Sequence, residues 1–301
     1  MSTPLIIICG PTATGKSDLA IEVAQKFGGE IINADSMQLY KGMDIGTAKL
    51  SLDERAGIPH HLLDILTVDQ DASVAQYQEL ARNAIADIQS RGKVAILVGG
   101  TGLYIKSVVD EMNFPETDPV LRKKLEDEAA LVGAAGLYSR LQLLDPEAAA
   151  AIEPANTRRI IRALEVIEVT GKPYSANLPS DTSLRFPDAL HIGLAMERTS
   201  LAPRIEARVH RMFDRGLIAE VETLIGDGLL RGTTAQRAIG YAQTVAHIEG
   251  RISVEVAIEE TIVATRQYVR RQETWFKRDQ RIQWISEGIS RLAFIEERLN
   301  S

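Results

Sequence analysis

Apolar residues recur along this chain with two different periods. Leu5 to Cys9 is an unbroken apolar run of strand length, and from Ser17 to Phe27 the positions Leu19, Ala20, Val23, Ala24 and Phe27 return at helical spacing. A glycine-rich turn separates the two, so the segment reads as strand, loop and helix. Glu30 to Ala34 predicts a second short strand ending at Asp35, and Val94 to Val98 a third ending at Gly99-Gly100-Thr101. Strands that alternate with helices build a parallel sheet, and in such sheets ligands sit beyond the carboxyl ends of the strands. Lys16, Asp35 and Thr101 are therefore expected to converge.

The pattern changes near Asn113. Phe114-Pro115-Glu116-Thr117-Asp118-Pro119 interrupts it, and Val120 to Gly171, rich in alanine, leucine and glutamate, reads as helices. A second irregular stretch, Pro173 to Pro187, leads into the strand-like Ala189 to Ala195, which is placed to rejoin the sheet. The expected organisation is a core over residues 1–112, a helical insertion over 113–190, and a second part of the core over 191–301. From Arg198 onward the chain is mainly helical, punctuated at Gly216, Gly226-Asp227-Gly228 and Gly250. No repeat of fixed period is present.

Composition narrows the function classes. With 301 residues, 45% apolar and 25% charged, the chain has the make-up of a globular protein with a real core. Its longest apolar runs are too short to span a bilayer, and the first leads directly into a phosphate-binding motif with no basic segment before it. A cytoplasmic protein with no membrane partner is expected. One cysteine, Cys9, excludes an internal disulfide framework and a cysteine-rich zinc site and reads as a small apolar strand residue. The net charge is −7, yet Arg266, Arg270, Arg271, Lys277, Arg278 and Arg281 face only Glu273 and Asp279 over the same stretch, a basic island in an acidic chain.

The strongest chemical signal is Gly10-Pro11-Thr12-Ala13-Thr14-Gly15-Lys16-Ser17, which fits G-x-x-x-x-G-K-[ST] between a predicted strand and a predicted helix. Backbone amides at the helix start surround phosphate oxygens, Lys16 adds a point charge, and the Ser17 hydroxyl can ligate Mg²⁺. The fold class is α/β: a P-loop NTPase-like parallel sheet flanked by helices, with a helical insertion domain. By itself the loop says only that a di- or triphosphate is bound. Arg204, Arg208, Arg211 and Arg215 are spaced by four, three and four and share one helix face. His60 and His61 are adjacent and diverge on any regular element, so they are assigned a structural role.

Beyond the loop, the whole chain resembles the bacterial tRNA dimethylallyltransferases. The resemblance rests on Gly10 to Ser17, on Asn33 to Lys49 with its Asp35-Ser36-Met37-Gln38 segment, on Pro59 to Asp64 and on Val98 to Tyr104. It continues through Asn156 to Glu165, Arg204 to Arg211, Ile239-Gly240-Tyr241 and Thr265 to Trp275. It implies that the loop holds the diphosphate of dimethylallyl diphosphate, that Asp35 is the base acting on an adenine amine, and that Arg208 reaches the diphosphate. Thr101 is implied to line the channel where the base meets the prenyl chain. Implied tRNA contacts are Asp35, Ser36, Met37, Gln38 and Thr101 near the base; Arg122, Arg158, Arg159 and Arg162 in the insertion; and Gln236, Arg237, Gly240, Tyr241, Arg270, Arg271, Trp275 and Lys277. For Tyr241 and Trp275, packing is the simpler role. The partner is the anticodon stem-loop, whose adenine must be extruded to reach a recessed carboxylate. A monomer is expected.

Two other readings stay open at this level. A small-molecule kinase using ATP follows from the P-loop alone, although no apolar strand ends in the Asp of a Walker B motif with a neighbouring Glu. A nucleotide-gated RNA-binding protein without catalysis follows from the basic island.

Overall fold

The computed structural model describes residues 3–175 and 184–299. They form two compact units, one built from residues 1–109 and 186–301 and the other from residues 110–185. Part of the irregular stretch expected at Pro173 to Pro187 lies outside the described residues.

In the first unit, β1 (Leu5–Cys9), β2 (Gly29–Asn33), β3 (His60–His61), β4 (Val94–Gly99), β5 (Leu190–Leu194) and β6 (Gln283–Ile285) make one six-stranded sheet in the order β3-β2-β4-β1-β5-β6. Every pairing is parallel. A parallel sheet is covered on both faces, and β1 shows how its sequence meets that demand. Leu5, Ile7 and Cys9 pack towards α2 (Val74–Ser90) and α3 (Gly102–Val109), while Ile6 and Ile8 pack towards α1 (Lys16–Phe27) and α11 (Arg291–Leu299). Burial pushes the Cys9 thiol up to about 12, which leaves it an inert packing group.

The long connection from Ala34 to Ser73, which pairs with β2 over the two residues of β3, is further stitched by polar groups. Lys49 is buried, and its ammonium donates to Tyr40 O at 2.8 Å, Asp44 Oδ1 at 2.7 Å and Asp64 Oδ1 at 2.6 Å, using all three protons. Its apolar side, from Tyr40 and Met43, packs on α8 (Leu217–Gly226) and α9 (Tyr241–Ile248). The two remaining long helices, α7 (Arg198–Asp214) and α10 (Val254–Phe276), bring cationic and polar side chains to the carboxyl edge of the sheet.

The second unit contains α4 (Pro119–Leu144), broken at Gly133, with α5 (Pro146–Ala151) and α6 (Thr157–Thr170). Leu125, Leu137, Leu141, Ile160 and Leu164 form its core. Glu165 is fully buried inside it and is neutralised on three sides: by Asp118 N–H at 3.0 Å, Arg122 Nη2 at 2.5 Å and Arg162 Nη1 at 2.9 Å. No helix among the described residues is long and apolar enough to cross a membrane.

Candidate active site

Two glycines shape the phosphate loop between β1 and α1. Gly10 has φ +135°, and a Cβ there would lie 2.8 Å from Leu194 O; Gly15 caps α1 at φ +85°. The loop so formed faces a cavity of about 490 Å³, with Thr12, Ala13, Gly15, Lys16 and Ser17 in its wall. Lys16 Nζ folds back to donate to Pro11 O at 2.6 Å. Burial lowers its pKa to about 8, against the pull of Asp35 and with a smaller push from Arg208 in the same direction as burial.

Asp35 follows β2 and is locked at its backbone by Asn33. The Asp35 N–H donates to Asn33 Oδ1 at 2.9 Å, and Asn33 Nδ2 donates to Asp35 O at 3.0 Å. Its Oδ1 accepts the Met37 N–H at 2.9 Å, which leaves Oδ2 without a hydrogen-bond partner among the described residues. Thr101 stands alongside, its hydroxyl oxygen accepting the Ser36 N–H at 3.1 Å.

The four arginines named from their spacing, Arg204, Arg208 and Arg211 on α7 and Arg215 capping its end, line the same cavity as the loop. Arg208 alone among them is half-buried, and its Nη2 donates to Thr47 O at 3.2 Å. Burial lowers its pKa, with Asp35 opposing that shift. A second cavity of about 290 Å³ adjoins the first: Thr12, Asp35, Thr47, Arg208 and Met212 belong to both walls. Away from that shared wall the larger cavity is bounded by Ile45, Leu50 and Leu63, and the smaller by Met37, Ile239, Tyr268 and Arg271. The arrangement gathers Lys16 and four arginines around the loop at one end and opens a carboxylate to both chambers.

A family model described as IPP transferase matches residues 38–279. The chain belongs to that family. It is 52% identical over 286 residues to a tRNA dimethylallyltransferase of Streptomyces coelicolor, covering 95% of this chain and 91% of the relative. It is 54% identical over 282 residues to one from Pseudarthrobacter chlorophenolicus, covering 94% and 93%. Among solved structures, a tRNA isopentenylpyrophosphate transferase from Staphylococcus epidermidis is similar with a TM-score of 0.73 at 40% identity, covering 99% of both chains. A eukaryotic dimethylallyltransferase acting on tRNA is similar with a TM-score of 0.81 at 31% identity, covering 95% of this chain and 74% of that one.

Within this family member, the residues expected around the site divide by surroundings. Lys16, Ser17, Asp35, Gln38 and Arg208 meet at the larger cavity; Ser36, Met37, Arg237 and Arg271 line the smaller. Arg270 and Lys277 are exposed on and just beyond α10, and Arg158 and Arg159 are exposed on α6. Gln236 sits in a short 3₁₀ turn and donates back to Gly232 O at 2.5 Å. Gly240 caps α9, its N–H donating to Gln243 Oε1 at 2.9 Å.

Tyr241 takes the packing role expected as the simpler one, at the border of the smaller cavity. It is 0% exposed, and its hydroxyl donates to Glu220 Oε1 at 2.6 Å. That carboxylate in turn accepts the amides of Asp44, Ile45 and Gly46 at 3.2, 2.7 and 3.3 Å. Tyr241 therefore holds the loop whose Thr47 carbonyl takes Arg208, and Gly46 is glycine because a Cβ would lie 2.3 Å from the Tyr241 ring. Trp275 remains 38% exposed while its indole edge covers Gly102. Arg122 and Arg162 are engaged by Glu165 and not free guanidinium groups. Sequence reasoning gave no individual role to Tyr268 and Gln272, which reach the site from α10; their signals were membership of the basic stretch and of the resembling block Thr265 to Trp275.

Proposed function

We infer that the protein transfers a dimethylallyl group from dimethylallyl diphosphate to the exocyclic N6 amine of the adenine beside the anticodon in tRNA, releasing diphosphate. The observation that carries this reading is the wall shared by the two cavities, with Asp35 and Arg208 in both. A diphosphate on the loop directs its allylic carbon at that wall, and a base extruded into the smaller chamber meets it from the other side. The walls suit the two guests. The larger has cations for a leaving group and apolar side chains for a prenyl chain; the smaller has Tyr268 and Arg271, whose guanidinium lies 5.7 Å from the Tyr268 ring centre, for a flat aromatic ring.

In the reaction the N6 lone pair forms a bond to the allylic carbon as the carbon–oxygen bond to diphosphate breaks, and the amine proton passes to Asp35. The unengaged Oδ2 fits a general base. Charge grows on the departing diphosphate, and loop amides, Lys16 and Arg208 offset it. Ser17, in the cavity wall at the first turn of α1, fits Mg²⁺, which is held by few protein ligands together with substrate phosphate and water. When bound there, the ion would supply further neutralisation of the diphosphate.

The anticodon stem-loop is the macromolecular substrate, held by exposed Arg237, Arg270, Arg271 and Lys277, with Arg158 and Arg159 as further phosphate contacts in the insertion. The test is incubation with dimethylallyl diphosphate, Mg²⁺ and unmodified tRNA, followed by digestion to nucleosides and mass spectrometry. Isopentenyladenosine is expected with one diphosphate released per transfer and no ATP consumed. Asp35→Asn is expected to lower kcat by about 10²–10⁴ while tRNA affinity stays within about twofold. Failure to detect the modified nucleoside in several adenine-bearing tRNAs removes the reading, and ATP turnover driven by a small substrate replaces it with a kinase.

A further inference from the structure

One buried polar side chain joins the two halves of the site and has no part in the chemistry just described. Gln272, on the inner face of α10, is 4% exposed. Its Oε1 accepts the Thr12 N–H of the phosphate loop at 2.9 Å, and its Nε2 donates to Gly100 O, at the end of β4, also at 2.9 Å. Gly100 leaves room for this contact, since a Cβ there would lie 2.3 Å from Nε2. One helical turn earlier on the same helix, Tyr268 lines the smaller cavity, and Thr101 follows Gly100 directly in the chain. Thr101 in turn takes the N–H of Ser36, the neighbour of Asp35. A single amide thus links the loop that cradles the anion, the turn after β4 and the segment bearing the carboxylate.

We propose that Gln272 is a positioning residue: it sets the phosphate loop at a fixed distance from the base chamber, so that donor binding depends on its two hydrogen bonds and not on its bulk. The physical reason is that a loop amide turned towards Gln272 is not offered to phosphate. Thr12 is thereby held as the fixed edge of the cradle, and the remaining amides, from Ala13 to Ser17, are left to face the anion. Without Oε1, the Thr12 N–H loses its partner and the loop is free to turn it inward, at a cost to the geometry the anion needs. Both cavities have Thr12 in their walls, so a shift of this edge is felt in each. The naming of the donor rests on the prenyl-transfer reading; the clamp itself does not.

The test therefore reads anion binding separately from transfer. Gln272→Met keeps the volume and removes both hydrogen bonds. Expected results are a Kd for inorganic diphosphate in Mg²⁺ weakened at least tenfold, a matching rise in KM for dimethylallyl diphosphate, and a donor-free affinity for an anticodon stem-loop within twofold of the native protein. Gly100→Ala, which crowds Nε2 from the partner side, is expected to weaken diphosphate binding in the same way, and it carries the test if the methionine variant does not fold. Native-like diphosphate affinity in either folded variant overturns the proposal, because a side chain that only fills space is replaced by methionine without loss. If the native protein binds diphosphate but transfers no prenyl group, the functional reading fails while the clamp is still decided by the binding data.

Discussion

Lys16 has opposite consequences for stability and for binding. Its folded pKa of about 8 lies below the ordinary lysine value of 10.5, with burial as the largest cause. Below pH 8 both folded and unfolded chains carry the proton, so the full penalty of a desolvated ammonium is present. Between pH 8 and 10.5 the unfolded chain binds more protons, and stability contributed by this group rises with pH. Over the same range the cavity loses a positive charge. The expected outcome is that the native protein gains stability relative to Lys16→Met from pH 8 to 9.5 in urea titrations. Its diphosphate affinity, again relative to that variant, is expected to fall by up to about tenfold per pH unit. The loop containing Lys16 was legible in the sequence because its residues are contiguous and their spacing is fixed by the shape of a phosphate. Gln272 and Tyr268 fall inside the resembling block Thr265 to Trp275, but their roles were not legible, because the Thr12–Gln272 contact joins positions 260 apart and no local pattern marks a glutamine that faces inward.

At the scale of elements, the strands with unbroken apolar runs were readable and the short ones were not. The expected Glu30–Ala34 and Val94–Val98 strands appear at Gly29–Asn33 and Val94–Gly99, and the strand expected at Ala189–Ala195 rejoins the sheet as Leu190–Leu194. The two edge strands are only His60–His61 and Gln283–Ile285, too brief for a period of two to show itself; pairing with a formed neighbour makes them strands. Glycine-marked turns in the last third of the chain were legible for a stereochemical reason: Gly216, Gly228 and Gly250 all have positive φ. The contact between Tyr241 and Glu220 belongs to this scale, since it ties α9 and α8 to the loop after β2. Tyr241→Phe is expected to lower the unfolding free energy by about 2 kcal/mol, as for loss of a hydrogen bond to a charged acceptor. It is also expected to raise KM for the donor several-fold through Thr47 and Arg208, and to leave RNA affinity unchanged. Urea denaturation and steady-state kinetics measure the first two; a loss of RNA affinity greater than the change in donor KM would restore Tyr241 to the RNA surface.

For the molecule as a whole, the decisive number is not the net charge of −7 but where the cations lie. Arg237 and Arg271 stand at the smaller chamber, with Arg270 exposed on α10 and Lys277 just beyond it, so a polyanion can be held locally by an acidic protein. Lys277→Ala is expected to weaken stem-loop binding and to lower the slope of log affinity against log salt by about 0.7–0.9, with kcat at saturating substrates unchanged. Fluorescence anisotropy across a salt series measures it; an unchanged slope takes Lys277 off the phosphate backbone. The insertion was legible as a change in composition, yet its boundaries were not. The compact unit runs from Asp110 to Arg185, because the last turn of α3 and the residues before β5 pack with the sheet.

The pairing of β1 with β5 reaches further than catalysis. Ile6 to Cys9 lie beside Leu190 to Gly193, partners made far apart in time on a ribosome. Until the later partner has left the exit tunnel, one side of the central strand offers bare amides and carbonyls to any extended peptide nearby. Synthesis of the intervening helices is thus a waiting period in which self-association competes with closure of the sheet, and slow, ordered completion is part of what this topology demands of the cell that makes it.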